Sequence, residues 1–451
     1  MIERVSMEKL VINGGKRLMG TISVSGAKNV ALKALVAACL TDEEVIIENI
    51  PLISDFMVMV NIIRSLGGTV KIRDHTAYVQ VKILKLKKIS LEEAAKIRTS
   101  AMLMAPLLAR LHKAIIPNPG GCRVGARPID RTINGLKALG VETIYNSDDG
   151  YFYIKANNKT GGNGTVRYCF KKSTHTGTEI LIMTAALFKG KTMLENAAEE
   201  PEIDELISLL NSMGAKIKRV KPRTIVIEGV ERLHGTRFVI GLDRNEIVTF
   251  AVAGIVTRGD VFIKNAHTVP LEAFFQKLKV AGAGYEIKEG GIRFYYDSPL
   301  HSANIQTSIY PGFMTDWQGP WAVLMTQADG VSTIHETVYE NRFGYVKELK
   351  KMGADVSLFN PIVKNQSGVY NFNLSDNSPE YFHALKVYGP TKLHDAVVEI
   401  SDLRAGATLV LAALLAPLQS IVFGVEHLDR GYEKFEERLA SLGSRIKRVK
   451  I

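Results

Sequence analysis

Cysteine is scarce in this sequence: Cys39, Cys122 and Cys169 are the only three among 451 residues. An odd number so widely spaced argues against both a disulfide framework and a paired metal site. The ten histidines lack close spacing with cysteine or paired carboxylates, so no metal is expected. No phosphate-binding loop of the P-loop kind is present, and no organic cofactor is expected. An apolar leader is missing too. Residues 1–9 carry charges where a signal peptide would need an apolar run, which predicts a cytoplasmic protein. One uncharged stretch, Ala405 to Val425, is long enough to test as a membrane span. Pro417, Gln419 and Ser420 interrupt it, so it reads as a buried helix, a turn and a strand, with no membrane partner.

Negative charge is also in deficit, with 46 acidic against 57 basic side chains and a net charge of +11. That balance favours anionic partners, either nucleic acid or phosphorylated and carboxylated small molecules. A nucleic-acid surface should interleave clustered Lys/Arg with exposed aromatics. The basic runs Lys82–Lys88, Lys216–Lys221 and Arg445–Lys450 read instead as basic strands or strand ends, so no nucleic acid is expected.

What is present begins with Pro119-Gly120-Gly121-Cys122-Arg123-Val124-Gly125-Ala126-Arg127-Pro128. Glycines let the backbone bend and approach a ligand closely. Flanking guanidinium groups lower a thiol pKa and bind anions bidentately. Most free cysteines are small apolar fillers, but these neighbours point to a reactive thiol in a catalytic loop facing an acidic substrate.

The chain is also repetitive. Six times an amphipathic helical segment runs into a glycine and then a short strand, at Gly67, Gly140, Gly214, Gly282, Gly353 and Gly443. Each glycine is placed as a left-handed helix C′ residue. The intervals are 73, 74, 68, 71 and 90 residues, and a period of about 70 suits a compact unit of two helices and several strands. Very apolar helices recur at Ala31–Leu40, Met102–Leu111, Ile180–Phe188, Val248–Val256, Trp321–Met325 and Ala407–Ala416, and are expected to fill domain centres. Three repeats per domain follow. The long last interval falls at Ser357–Glu399, whose middle, Asn371 to Pro379, reads as an inserted loop or hairpin.

These motifs resemble the enolpyruvyl transferases over nearly the whole chain. The resemblance is carried by Ser25-Gly26-Ala27-Lys28-Asn29, the Cys122 loop with Gly125 to Asp130, Glu195-Asn196-Ala197-Ala198, Pro311-Gly312-Phe313-Met314-Thr315-Asp316, Glu340-Asn341-Arg342-Phe343, Asp402-Leu403-Arg404-Ala405 and Asp429-Arg430-Gly431-Tyr432. It implies an α/β fold of two inverse α/β barrel domains, each of three repeats, with residues 28–241 forming one and 1–27 with 242–451 the other. It further implies transfer of the enolpyruvyl group of phosphoenolpyruvate to the 3-hydroxyl of UDP-N-acetylglucosamine, with release of phosphate, in peptidoglycan precursor synthesis.

In that chemistry carbon 3 of the donor gains a proton while carbon 2 is attacked, so an acid and a base must face opposite reactants. By resemblance Cys122 is the acid and Asp316 the base. Lys28, Arg127, Arg404 and Arg430 match the cationic positions that hold the donor's carboxylate and phosphate, and Arg98 matches another arginine near the site. Asn29, Pro128, Ile129, Asp130, Arg131, Arg244, Glu246, Val338, Arg342 and Asp402 match positions around the acceptor or the intermediate. Bland alternatives are an ion pair for Arg98, a Glu246 that caps or neutralises Arg244, and a Glu340–Arg342 ion pair.

The acceptor side departs from the family pattern. Lys171 to Glu179 replaces the usual Ser-Val-Gly-Ala-Thr-like loop, with Gly177 alone aligning, Lys172 in the lysine's place and His175 and Thr176 beside it. Arg131-Thr132 stands where the family places an uncharged residue and a histidine. A related nucleotide or nucleotide sugar as acceptor in a specialised pathway, or a non-catalytic ligand-binding paralogue, are the alternatives. The shikimate-phosphate branch of the superfamily does not use the Pro-Gly-Gly-Cys loop, so Cys122 argues against it.

Overall fold

The computed structural model describes residues 8–118, 129–157 and 164–450. Cys122, Arg127 and Pro128 lie outside the described residues. The described chain forms two compact units, one of residues 8–25 and 242–450, the other of 26–118, 129–157 and 164–241. Each has its own apolar core.

Six helices are central: α1 (Lys28–Ala38), α2 (Met104–Leu111), α3 (His175–Ala185), α4 (Arg244–Val256), α5 (Gln318–Met325) and α6 (Leu403–Leu415). Every residue of α4 and α5 is buried, and in α6 only Leu415 escapes full burial. A helix apolar on all sides has no face to give to water, so these become the interior. In α4, α5 and α6 the charged and amide side chains stand at the N-terminal turns, at Arg244, Asn245 and Glu246, at Gln318, and at Arg404.

The sheets wrap these helices with one alternation of faces. In Lys216–Lys221 the Ile217 side chain is buried while Lys216 and Lys218 point out, as the period of two requires. Among the described residues five of the six sheets have four strands. The sheet of Thr165–Cys169 is typical. That strand runs parallel to Lys191–Glu195, which pairs antiparallel with Thr224–Glu228, which pairs antiparallel with Lys216–Lys221. The sheet of Lys113–Pro117, Tyr151–Lys155 and Glu142–Asn146 has three.

The basic runs lie in strands or just past one, as expected: Lys216–Lys221 and Arg445–Lys450 are strands, and Lys82–Lys88 follows a strand that ends at Gln80. That last run is tied down by Lys85 N–H, which donates to the Leu66 carbonyl at 2.9 Å, and by Lys88, whose Nζ lies 2.9 Å from Asp149 Oδ2 and over the rings of Tyr151 and Tyr153. One expectation is corrected: Ser357–Glu399 is not insertion throughout. It contains Ala384–Gly389, the centre of a four-stranded sheet, and Val397–Glu399, an edge of another. The added material is 360–383.

All six junction glycines have positive φ, from 71° at Gly282 to 101° at Gly443, so the repeat read from sequence is built as expected. Gly67 carries a second constraint, because a Cβ there would lie 2.6 Å from the Ile83 carbonyl oxygen, whereas at Gly214 the nearest atom is a His234 ring carbon at 3.4 Å. Gly67→Ala should destabilise its unit by about 1–3 kcal/mol, and Gly214→Ala by less. Denaturant midpoints of the two variants check the order, and equal losses would contradict it.

Candidate active site

In the unit of residues 26–241 the Ser-Gly-Ala-Lys-Asn motif has a steric basis. A Cβ on Gly26 would sit 1.8 Å from the carbonyl oxygen of Asn49, so glycine alone lets the chain pass there into α1. Lys28 opens that helix and ion-pairs with Asp55 at 2.7 Å, both largely buried; Asn29 follows it. Arg98, half-buried, begins the 3-10 turn Arg98–Leu103.

Ile129 precedes the helix Asp130–Ala138, with Asp130 in its first turn. Arg131 Nη1 donates to the Ser173 carbonyl at 3.1 Å, and the Arg131 carbonyl accepts from the Tyr168 hydroxyl at 2.9 Å. Thr174 caps α3 by accepting from Gly177 N–H at 3.3 Å. A Cβ on Gly177 would meet the Thr174 methyl at 2.5 Å and the Thr132 hydroxyl at 3.2 Å. The structure thus gathers residues 129–132 and 173–177, the two segments that depart from the family pattern. Lys172 lies among them, its pKa pushed down by burial and by the nearby Arg131 charge.

His175, in the first turn of α3 ahead of Thr176, has Nε2 3.1 Å from Glu179 Oε1, and Lys33 Nζ lies 3.2 Å from the same fully buried oxygen. Burial, the largest influence, and the Lys33 charge push the imidazole pKa down, but the charges of Glu179 and Glu200 and the close Glu179 contact together outweigh them and the net shift is upward. A histidine with a raised folded pKa stabilises fully below its unfolded pKa of about 6.5, and that contribution is lost as pH rises through the folded value. The melting-temperature deficit of His175→Gln should therefore be larger at acidic than at alkaline pH. A deficit independent of pH would contradict this ion pair.

In the unit of residues 242–450, α4 and α6 have the same N-terminal design. Asp243 caps α4 through Asn245 N–H and Glu246 N–H, and Asp402 caps α6 through Arg404 N–H and Ala405 N–H. Helix N-termini carry partial positive charge, and cations placed there add to it. Arg244 is buried with its guanidinium 5.4 Å over the Tyr310 ring. Glu246 does not simply neutralise Arg244. It forms a bidentate pair with Arg438 at 2.6 and 2.7 Å and accepts from Ser25 N–H.

The centre of this half is Asp316, in the 3-10 turn Thr315–Trp317. One carboxylate oxygen accepts from Arg342 Nη2 at 2.9 Å, the other from Arg404 Nη2 at 3.0 Å. Arg342 also lies 3.5 Å from Asp402, and Arg404 Nη1 donates to the Tyr432 hydroxyl at 3.2 Å. The ion pairs of Arg342 are thus with Asp316 and Asp402. Burial would lower the pKa of both guanidinium groups, but the neighbouring carboxylates reverse this and both are raised. Val338 N–H donates to Glu336. Arg430 is half-buried next to Asp429, which pairs with Arg448.

Asp55, Glu336 and Tyr432 make polar contacts here that no motif assigned. Tyr432 was visible as the last residue of Asp429-Arg430-Gly431-Tyr432. Glu336 had one signal, an acid directly after an apolar-alternating strand. Asp55 had none. Among the described residues no group of three or more His, Cys, Asp or Glu is arranged to hold a metal, and no helix is long and apolar enough to cross a membrane. A carboxylate held between two guanidinium groups, beside two capped helix N-termini, can bind anions and accept a proton.

The sequence profile of EPSP synthase (3-phosphoshikimate 1-carboxyvinyltransferase) matches residues 12–439. A UDP-N-acetylglucosamine 1-carboxyvinyltransferase of Acidobacterium capsulatum is 40% identical over 448 residues, covering 98% of this chain and 96% of the relative. One from Koribacter versatilis is 40% identical over 447 residues, covering 98% and 97%. Among solved structures, the enolpyruvyl transferase NikO from Streptomyces tendae superposes with a TM-score of 0.84 over 99% of this chain and 100% of its own, at 24% identity, which establishes the shared fold.

Proposed function

We propose an activity from one premise: the chain belongs to the enolpyruvyl transferase family. It transfers the enolpyruvyl group of phosphoenolpyruvate to the 3-hydroxyl of UDP-N-acetylglucosamine and releases phosphate. The observation that carries this reading is 40% identity over 98% of the chain to enzymes so named.

The residues divide the work as follows. Asp316 takes the proton of the acceptor hydroxyl as its oxygen attacks carbon 2 of the donor, while Cys122 supplies a proton to carbon 3. In the second step carbon 3 returns a proton, the carbon–oxygen bond to phosphate breaks, and phosphate leaves with its electron pair. Lys28, Arg98, Arg127, Arg404 and Arg430 hold the donor's anionic groups and stabilise charge as it develops.

Arg404 serves two anions in turn. It donates to Asp316, and a guanidinium drawn toward phosphoenolpyruvate loosens its hold on the charged carboxylate, which favours proton uptake. Asn29, Pro128, Ile129, Asp130, Arg131, His175, Thr176, Gly177, Arg244, Glu246, Val338, Arg342 and Asp402 line or support the acceptor side.

One observation favours a second acceptor. Arg131 is bonded to the Ser173 carbonyl, so both departures from the family pattern meet in one place and add cationic character there. A different nucleotide or nucleotide sugar is the corresponding substrate class. The test is phosphate release from phosphoenolpyruvate with UDP-N-acetylglucosamine, with the product mass determined. Acceptor-dependent release and an enolpyruvyl product establish the reaction. Phosphoenolpyruvate binding without turnover, by folded protein, points to the second acceptor class.

A further inference from the structure

Glu336 directly follows the strand Gly330–His335 and is completely buried. Its Oε2 accepts from the Thr315 hydroxyl at 2.8 Å and from Gln318 Nε2 at 2.5 Å. Its Oε1 accepts from the backbone N–H groups of Val338 at 2.7 Å and Tyr339 at 3.0 Å. Four donors fill the roughly four acceptor positions of an ionised carboxylate. Thr315 adjoins Asp316, and Val338 and Tyr339 lead into Arg342. One side chain therefore ties the segment carrying Asp316 to the segment carrying its guanidinium partner.

We infer that Glu336 is a positioning residue that fixes the Asp316 carboxylate against Arg342 and Arg404, a role that rests on the reading of Asp316 as the base. Burying a carboxylate is costly unless its hydrogen bonds are complete. An apolar residue would fill the space at lower cost but could hold neither segment. Burial pushes the Glu336 carboxyl above its usual range, and the hydrogen bonds from Thr315, Tyr339 and Val338, with the Arg342 charge, work against that shift.

The 360–383 segment supports the same residue from behind. Glu336 N–H donates to the His383 carbonyl at 2.8 Å, and Asn371 N–H donates to the Thr337 carbonyl at 2.7 Å. His383 is itself buried and packs against the rings of Phe372 and Tyr370 at tilted angles. The inserted segment acts as a buttress that holds the end of this strand in place.

The test replaces Glu336 by glutamine, which has the same shape but only one acceptor oxygen and an NH2 group facing donors. Thr315→Val serves as a milder second variant that keeps the carboxylate. Turnover with phosphoenolpyruvate and UDP-N-acetylglucosamine and crystal structures of wild type and both variants are compared. Glu336→Gln should lower kcat by about 10–100-fold, the scale of an ångström-level misplacement. KM values should stay within about twofold, because substrate binding is not the function lost. Thr315→Val should give a smaller loss in the same direction. The variant crystals should show Asp316 displaced from Arg342.

Wild-type kcat in Glu336→Gln, or an undisturbed Asp316–Arg342 contact in its crystal, overturns the inference. If Glu336→Gln does not fold, Thr315→Val decides by the same two readouts. If wild type does not use this acceptor, the proposed reaction fails, and the crystals still decide whether Glu336 positions Asp316.

Discussion

Replacing Asp316 by asparagine lowers turnover by about 10²–10⁴-fold, the usual contribution of a positioned general base, and leaves the chain folded. Asparagine is nearly isosteric and retains one acceptor oxygen, so one of the two guanidinium contacts survives. Arg342 keeps Asp402 at 3.5 Å, and Arg404 keeps the Tyr432 hydroxyl at 3.2 Å. What is lost is the capacity to take a proton. Alanine at this position should be less stable than asparagine, because it removes the acceptor oxygen that asparagine still offers to one of two largely buried guanidinium groups. Phosphate release and thermal melts of both variants check these statements together. Near-normal turnover of the asparagine variant would reject Asp316 as the base.

Cys122→Ala should cost turnover on a similar scale, about 10²–10⁴-fold, because carbon 3 of the donor loses its proton source while the anion-binding groups stay. The same thiol should react with fosfomycin, the epoxide that by family resemblance alkylates this cysteine. The thiolate attacks an epoxide carbon, the ring carbon–oxygen bond opens, and the oxygen gains a proton. Two other cysteines serve as internal controls. Cys39 is buried and its thiol is pushed up to about 12, chiefly by burial, so it is withheld from thiolate chemistry. Cys169 is exposed, so accessibility alone would label it. Peptide mass mapping after fosfomycin treatment should find the adduct on Cys122. An adduct confined to Cys169, or none, would remove the support for a reactive Cys122.

Much of the architecture was legible because it repeats. A glycine that must take positive φ after each amphipathic helix leaves a mark at each junction, and all six glycines have the conformation their position demanded. The central helices were legible because they are apolar on all sides. Which basic runs are strands was less legible, because pairing across space decides it. Lys216–Lys221 and Arg445–Lys450 find partner strands, while Lys82–Lys88 follows a strand and is held by Lys85 N–H on the Leu66 carbonyl and by Lys88 against Asp149 and two tyrosine rings. Ser357–Glu399 was hard to divide from sequence because its strands Ala384–Gly389 and Val397–Glu399 pair with strands that lie outside it, Gly330–His335 and Gln419–Phe423.

The sequence by itself determined the unit of construction, the apolar centres and the residue types of the chemistry: a thiol among glycines, a carboxylate after a Pro-Gly turn, and cations at helix starts. Those are local properties, set by backbone freedom, side-chain volume and charge. Which charge meets which was decided only by tertiary structure. Glu246 pairs with Arg438, 192 residues away, and Asp316 with Arg404, 88 residues away. Glu336 binds the segments on both sides of the Asp316–Arg342 pair. An ion pair's partner depends on distance and burial, and neither exists until the helices have packed.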